Sequence, residues 1–157
     1  MSADDQQERL DNSWIVGFVD GEGCFYVAIN KIPKMTLGYQ VLPEFRVVQH
    51  KRDIEVLKKI QETLNVGTIR KNHGNRFELR VRALNELNKI VEFFDANPLM
   101  TKKKNSFLLF RWIIILMNQG KHLSTNGLKE IALITSQMNR QRKVCLESSE
   151  TIRQTFF

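Results

Sequence analysis

Trp14-Ile15-Val16-Gly17-Phe18-Val19-Asp20-Gly21-Glu22-Gly23-Cys24-Phe25 decides how this chain is read: an apolar helical run ends in two acids separated by one glycine, and a strand-like segment follows at once. Gly17 and Gly21 stand four residues apart and share one helix face, where the missing side chains let a second backbone come close. Trp14, Gly17, Phe18 and Gly21 are therefore the candidate interface between two chains. Two such helices meeting side by side would bring Asp20 and Glu22 of both chains near one axis, and clustered hard oxygen ligands suit Mg²⁺.

Outward from this stretch, Asp11 or Asn12 caps the helix, which runs to about Asp20. From Gly23 to about Lys31 the pattern alternates, with Phe25, Val27 and Ile29 on one face and Tyr26, Ala28 and Asn30 on the other, which is a strand. Residues 32–38 form a hairpin tip, and Tyr39 to Gln49 is the returning strand, in which Pro43 argues for an exposed edge or a bulge. Asp53 caps a second helix, Ile54 to Leu64, whose Ile54, Leu57, Ile60 and Leu64 keep helical spacing. Gly67 to Lys71 and Arg76 to Arg82 are two more strands around a His73-Gly74-Asn75 turn. In the second of these Phe77, Leu79 and Val81 point inward and Arg76, Glu78, Arg80 and Arg82 outward.

A third helix spans roughly Ala83 to Ala96, a fourth Lys102 to Met117, and a fifth Leu128 to Met138 after the capping residues Ser124, Thr125 and Asn126. The order predicts an α+β fold whose antiparallel sheet is covered by helices on one face only, with C-terminal helices buttressing the core. The other face is left for a ligand. The tail from Arg140 is basic at Arg140, Arg142 and Lys143, with a short helix expected after Glu147.

Composition narrows the partners. A chain of 157 residues with 42% hydrophobic residues suits one domain, 1–157, with a real core. Lysine and arginine number 24 against 17 acids, a net charge of +7, which favours a polyanion such as nucleic acid. Cys24 and Cys145 have no metal-ligand spacing, so neither a zinc site nor a disulfide framework is indicated, and a reducing compartment is expected. The apolar run Phe107 to Met117 is broken by Arg111 and is too short to span a bilayer, so no membrane is expected as a partner. Met1 to Arg9 is polar and acidic, unlike a transit peptide or secretory signal, so the chain is expected not to be secreted.

Ile15 to Gly23 reads I-V-G-F-V-D-G-E-G and resembles the nine-residue motif of the LAGLIDADG homing endonucleases. No second run of this kind occurs, so the resemblance points to the single-motif, homodimeric branch, and it covers about residues 10–140. It implies an α-β-β-α-β-β-α core and an intron-encoded protein active in intron homing, from an organelle (mitochondrion or chloroplast) or a microbial cytoplasm. The implied activity is Mg²⁺-dependent hydrolysis of both strands of double-stranded DNA. Mn²⁺ would substitute, and Ca²⁺ would support binding but not cleavage.

Hydrolysing a phosphodiester requires a metal that stabilises charge and activates water, together with cations that neutralise the developing charge. By motif position Glu22 is the metal ligand, Asp20 is a helix-end acid with a lesser ligand role, and the carbonyl of Gly21 can also reach the ion. Gln49, 26 residues beyond Gly23, matches the family's water-positioning residue. Lys102, Lys103 and Lys104 open a helix whose dipole disfavours cations there, a conflict that a nearby phosphate would remove. Lys102 matches the family's active-site lysine, or Lys103 if the register is shifted by one. The basic residue expected shortly after the glutamine falls on Asp53, leaving Lys51 or Arg52 for that work. His50, His73 and His122 are scattered and form no nuclease motif.

The polar sheet face offers Asn30, Gln40, Glu44, Arg46, Arg70, Asn72, Arg76, Glu78 and Arg80, and Lys103, Lys104, Arg140 and Arg142 add basic contacts to DNA. A β-ribbon fits the major groove, where Arg reads guanine, Asn or Gln reads adenine and Glu accepts from cytosine. Such a mixture suits sequence reading better than phosphate binding alone. A homodimer applies the surface twice, which predicts a long, nearly palindromic site. The competing reading is a non-cutting RNA-splicing maturase, with intron RNA as partner, or a DNA-binding regulator on the same scaffold. The intact acids argue against it. A structural dimerisation module would leave the basic excess and the mixed polar face unexplained.

Overall fold

The computed structural model describes residues 9–156, with side chains through Arg140, so the acidic N-terminal stretch up to Glu8 and the side chain of Arg142 lie outside the described residues. Helix α1, Asn12–Glu22, is capped by Asp11, whose Oδ1 accepts the Ser13 N–H at 2.8 Å and the Ser13 hydroxyl at 2.6 Å. It extends two residues beyond the expected end at Asp20, so both acids belong to its last turn. Gly23 then donates its N–H to the Val19 carbonyl and turns the chain into β1, Gly23–Lys31. A Cβ at Gly23 would sit 2.6 Å from Val19 Cγ1, so only glycine lets the strand leave the helix this closely.

Strands β1, β2 (Tyr39–His50), β3 (Thr68–Lys71) and β4 (Arg76–Val81) form an antiparallel sheet in the order β1-β2-β4-β3. β2 is long enough to pair with β1 over Tyr39–Val47 and with β4 over Phe45–His50. Pro43 therefore lies where β4 has already ended, an edge on that side as expected, but it is buried and not exposed.

Helices α2 (Ile54–Leu64), α3 (Leu84–Ala96), α4 (Lys103–Asn118) and α5 (Thr125–Phe156) complete the α+β architecture that the pattern predicts. Asp53 occupies the N-cap of α2 but makes no capping hydrogen bond. The polar support at this junction comes from His50, whose Nδ1 accepts the Arg52 N–H at 3.2 Å in the 3-10 turn Lys51–Asp53. Ser124 caps α5 by accepting the Gly127 N–H at 3.2 Å, so the helix starts three residues before Leu128. The α5 backbone continues to Phe156, through the segment expected to be a tail with a separate short helix.

The core lies between the apolar sheet face and the helices. Phe25 of β1 stands 5.2 to 5.7 Å, centroid to centroid, from Phe45 of β2, Phe94 of α3, and Phe107 and Phe110 of α4. This aromatic cluster joins the strand that follows the acidic helix end to the helix that begins with the lysines. Arg111 Nε bonds both oxygens of Asp95 at 2.9 Å, and Asn88 and Asn118 bond reciprocally, tying α3 to α4. Among the described residues no helix is long and apolar enough to cross a membrane.

Candidate active site

Tertiary packing brings the end of α1 against the start of α4. Asp20 Oδ2 accepts the Met100 N–H at 2.9 Å, while Oδ1 accepts the Thr101 N–H at 3.2 Å and the Thr101 hydroxyl at 2.8 Å. Burial alone would raise the Asp20 carboxyl. Hydrogen bonds from Met100 and Thr101, with the charge of Lys103, outweigh it and hold the group below its usual value. An anion at a helix N-terminus is also favoured by the helix dipole, so the acid that answers the lysine run within the protomer is Asp20 itself.

Of the three lysines, Lys103 reaches the acids. Its Nζ donates to the Val19 carbonyl at 3.0 Å, beside the Gly23 N–H that bonds the same oxygen. Burial pushes this ammonium below the ordinary lysine value, against the opposing pull of Cys24, Asp20 and Glu22. Lys102 is exposed at the N-cap position and makes no capping bond, and Lys104 is also exposed. Glu22 is exposed at the last position of α1, and among the described residues its carboxylate makes no hydrogen bond or ion pair. Glu22 is therefore free to accept a cation, whereas the oxygens of Asp20 are engaged.

Gly23 pairs with Val47, which puts Gln49 two residues further along β2, at the same end of the sheet as Glu22. Its strand parity, however, sets it with Val47 on the helix-covered side, and it is half-buried. Gly17 and Gly21 are exposed, and a Cβ at either would meet nothing within 4 Å. Trp14 and Phe18 stack along the same stripe with ring centroids 5.0 Å apart.

The uncovered sheet face is ordered by register. Cys24, Arg46, Arg80 and Thr68 form one row across all four strands, and Val48, Glu78 and Arg70 form the next on three of them. Asn30 pairs with Gln40 at the far end, while Arg70 and Arg76 are exposed. Glu44 and Glu78 lie on this face as expected but are 5% and 7% exposed, with their carboxylates engaged by neighbours. Glu44 bonds Arg82 Nε at 2.6 Å and lies 3.8 Å from Arg46, and Glu78 accepts from Asn72 at 2.9 Å and faces Arg46 and Arg80. An arginine face this dense needs internal carboxylates to offset its own repulsion. Arg140 is exposed on α5 beside a groove of about 520 Å³ along β1.

Two participants escaped the sequence reading. Thr101 had a local signal, a hydroxyl residue just before a helix, and its Oγ1 does accept the Lys103 N–H at 3.3 Å. Arg82 as the partner of Glu44 had none, because 38 residues separate them.

Residues 15–114 match the LAGLIDADG endonuclease family. A probable intron-encoded endonuclease 2 of Neurospora crassa is 35% identical over 133 residues, 83% of this chain and 29% of that protein. The chain spans well under half the length of such curated relatives, 26% of the ND4 intron 1 protein of Podospora anserina and 40% of a probable intron-encoded DNA endonuclease 1 of Mycosarcoma maydis. Among solved structures, the homing endonuclease I-TnaI is 50% identical with a TM-score of 0.81, over 89% of this chain and 98% of that one. I-SmaMI, bound to an uncleaved DNA target in the presence of calcium ions, is 32% identical with a TM-score of 0.82, over 84% of this chain and 46% of that one. Motif, fold and relatives agree, and this chain belongs to the LAGLIDADG endonuclease family.

Proposed function

We propose that the chain is a site-specific DNA endonuclease that acts as a homodimer, one domain per protomer, and cuts both strands of a long, nearly palindromic duplex with a divalent metal, Mg²⁺ in the first place. The observation that carries this reading is the free Glu22 carboxylate beside the half-buried Lys103, at the edge of an arginine-lined sheet face. The donor chemistry fits the ion: Glu22 and the Gly21 carbonyl are hard oxygen ligands at a helix end. Among the described residues no three His, Cys, Asp or Glu side chains converge, so the remaining ligands would come from phosphates, water and a second copy. Bound there, a divalent metal supplies electrostatic stabilisation of the phosphate and an activated water.

The chain's own groups do the rest. Glu22 holds the ion, Lys103 offsets charge on the scissile phosphate, and Gln49 orients the attacking water from the same end of the sheet. Arg46, Arg80, Arg70 and Arg76 contact the duplex, with Asn30 and Gln40 reading further out. The stripe Trp14, Gly17, Phe18 and Gly21 meets its counterpart in the second copy, which doubles the site. A mobile intron of an organellar or microbial genome is the origin that the intron-encoded relatives support.

Selection of cleaved sites from a randomised duplex library tests this, with Mg²⁺ against Ca²⁺ and Glu22→Gln as control. Discrete Mg²⁺-dependent cuts at a pseudo-palindrome, absent for Glu22→Gln although that variant still binds in Ca²⁺, are expected. Specific binding without cuts would replace this reading with the maturase or regulator. Cleavage undiminished in Glu22→Gln would overturn the mechanism.

A further inference from the structure

We propose that Asp20 is a positioning residue, which holds the segment Met100–Thr101 as a strap and thereby sets Lys103 in the active site, and that it does not ligate the metal. This rests on the endonuclease reading above. The geometry is a closed loop. Asp20 accepts three hydrogen bonds from Met100 and Thr101 at 2.8 to 3.2 Å, Thr101 Oγ1 accepts the Lys103 N–H, and Lys103 Nζ returns to the carbonyl of Val19, the residue before Asp20. The two ends of the loop are 80 or more residues apart in the chain, so only these bonds and local packing define their separation.

Packing alone holds the strap weakly. Leu99 is buried at 2% exposure, but Met100, the next residue, is 85% exposed and contributes no apolar anchor. The carboxylate therefore supplies the fixed point from which α4 starts. Only an acid can do this from both oxygens, because every group facing it is a donor. An asparagine of the same size would turn an N–H toward an N–H or hydroxyl. Three of the roughly four acceptor sites of the Asp20 carboxylate are taken by those donors, which leaves little of it for a metal, whereas Glu22, two residues later, has no such engagement among the described residues.

The test is a double-mutant cycle read by single-turnover cleavage and Mg²⁺ titration. Asp20→Asn is expected to slow cleavage at saturating Mg²⁺ by about tenfold, with an unchanged Mg²⁺ midpoint, and to add no further loss in a Lys103→Met background. Thr101→Val, which keeps the backbone N–H but removes the bridging hydroxyl, is expected to fall between wild type and Asp20→Asn. A Mg²⁺ midpoint raised severalfold, or an undiminished Asp20→Asn penalty in the Lys103→Met background, would overturn the proposal and make Asp20 a ligand or an independent group.

Two readouts do not need cleavage: amide hydrogen exchange at Met100 and Thr101, and acylation of Lys103 by an amine reagent followed by mass spectrometry. Both are expected to accelerate in Asp20→Asn while the circular dichroism spectrum stays native. If wild type cuts no DNA but both accelerate, the endonuclease reading fails and the strap stands. If neither changes, the strap fails whatever the DNA result.

Discussion

Lys103 and Lys102 are neighbours of the same type, yet the rotation of about 100° between consecutive helical positions separates their environments. One ammonium is half-buried against the Val19 carbonyl and the acids of α1, and the other is in water. A charge held in a partly desolvated site acts on a developing negative charge far more strongly than a solvated one. Lys103→Met is therefore expected to lower the single-turnover cleavage rate by about 10²-fold. Lys102→Met should cost only what loss of one solvated phosphate contact costs, visible as a shallower salt dependence of binding. Equal losses for the two variants would refute the assignment of Lys103. Glu44 and Glu78 make the same point in the other direction. Alternation put them on the outer face, but burial and four arginine or asparagine partners make them counter-charges for Arg46, Arg80 and Arg82.

At the scale of the element, α1 presents two unlike faces. Ile15, Val16 and Val19 are buried in the core, while Trp14, Gly17, Phe18 and Gly21 form a stripe with open space above both glycines. A side chain at Gly17 meets nothing in the protomer and removes a flexible residue from a helix interior, a gain of roughly 0.5–1 kcal/mol. In a paired helix the same side chain would fill the space that the second backbone needs. Gly17→Leu is thus expected to keep or raise the protomer's melting temperature while shifting sedimentation from dimer to monomer and abolishing cleavage. A dimer that survives Gly17→Leu would place the interface elsewhere.

The whole molecule is held by the aromatic cluster beneath the site. Phe45, fully buried, contacts Phe25 and Phe94, and Phe25 in turn contacts Phe107 and Phe110 at the head of α4. Truncation here empties the contact between the sheet and two helices at once. Phe45→Ala is expected to cost about 3–5 kcal/mol in urea unfolding. A partly folded or loosened Phe45→Ala protein should also lose cleavage before it loses nonspecific DNA affinity, because β1, which follows the acid end, and α4, which carries Lys103, meet in that cluster. Nonspecific affinity depends on charge alone and should persist.

The residue order by itself determined the element types, the uncovered sheet face and the acids at the end of α1. Those properties repeat at two or three and four residues, or sit in one contiguous motif, so neighbours in the chain carry them. It left open which of Lys102 and Lys103 packs against α1, did not show that Glu44 and Glu78 are buried among arginines, and assigned Asp53 a cap that His50 supports instead. Tertiary structure alone decided these points. Which ammonium faces Val19, which arginine meets Glu44 and which amides Asp20 accepts depend on partners 38 to 84 residues away, brought together by the packing of Phe25 and its neighbours, and no local pattern encodes a contact of that range.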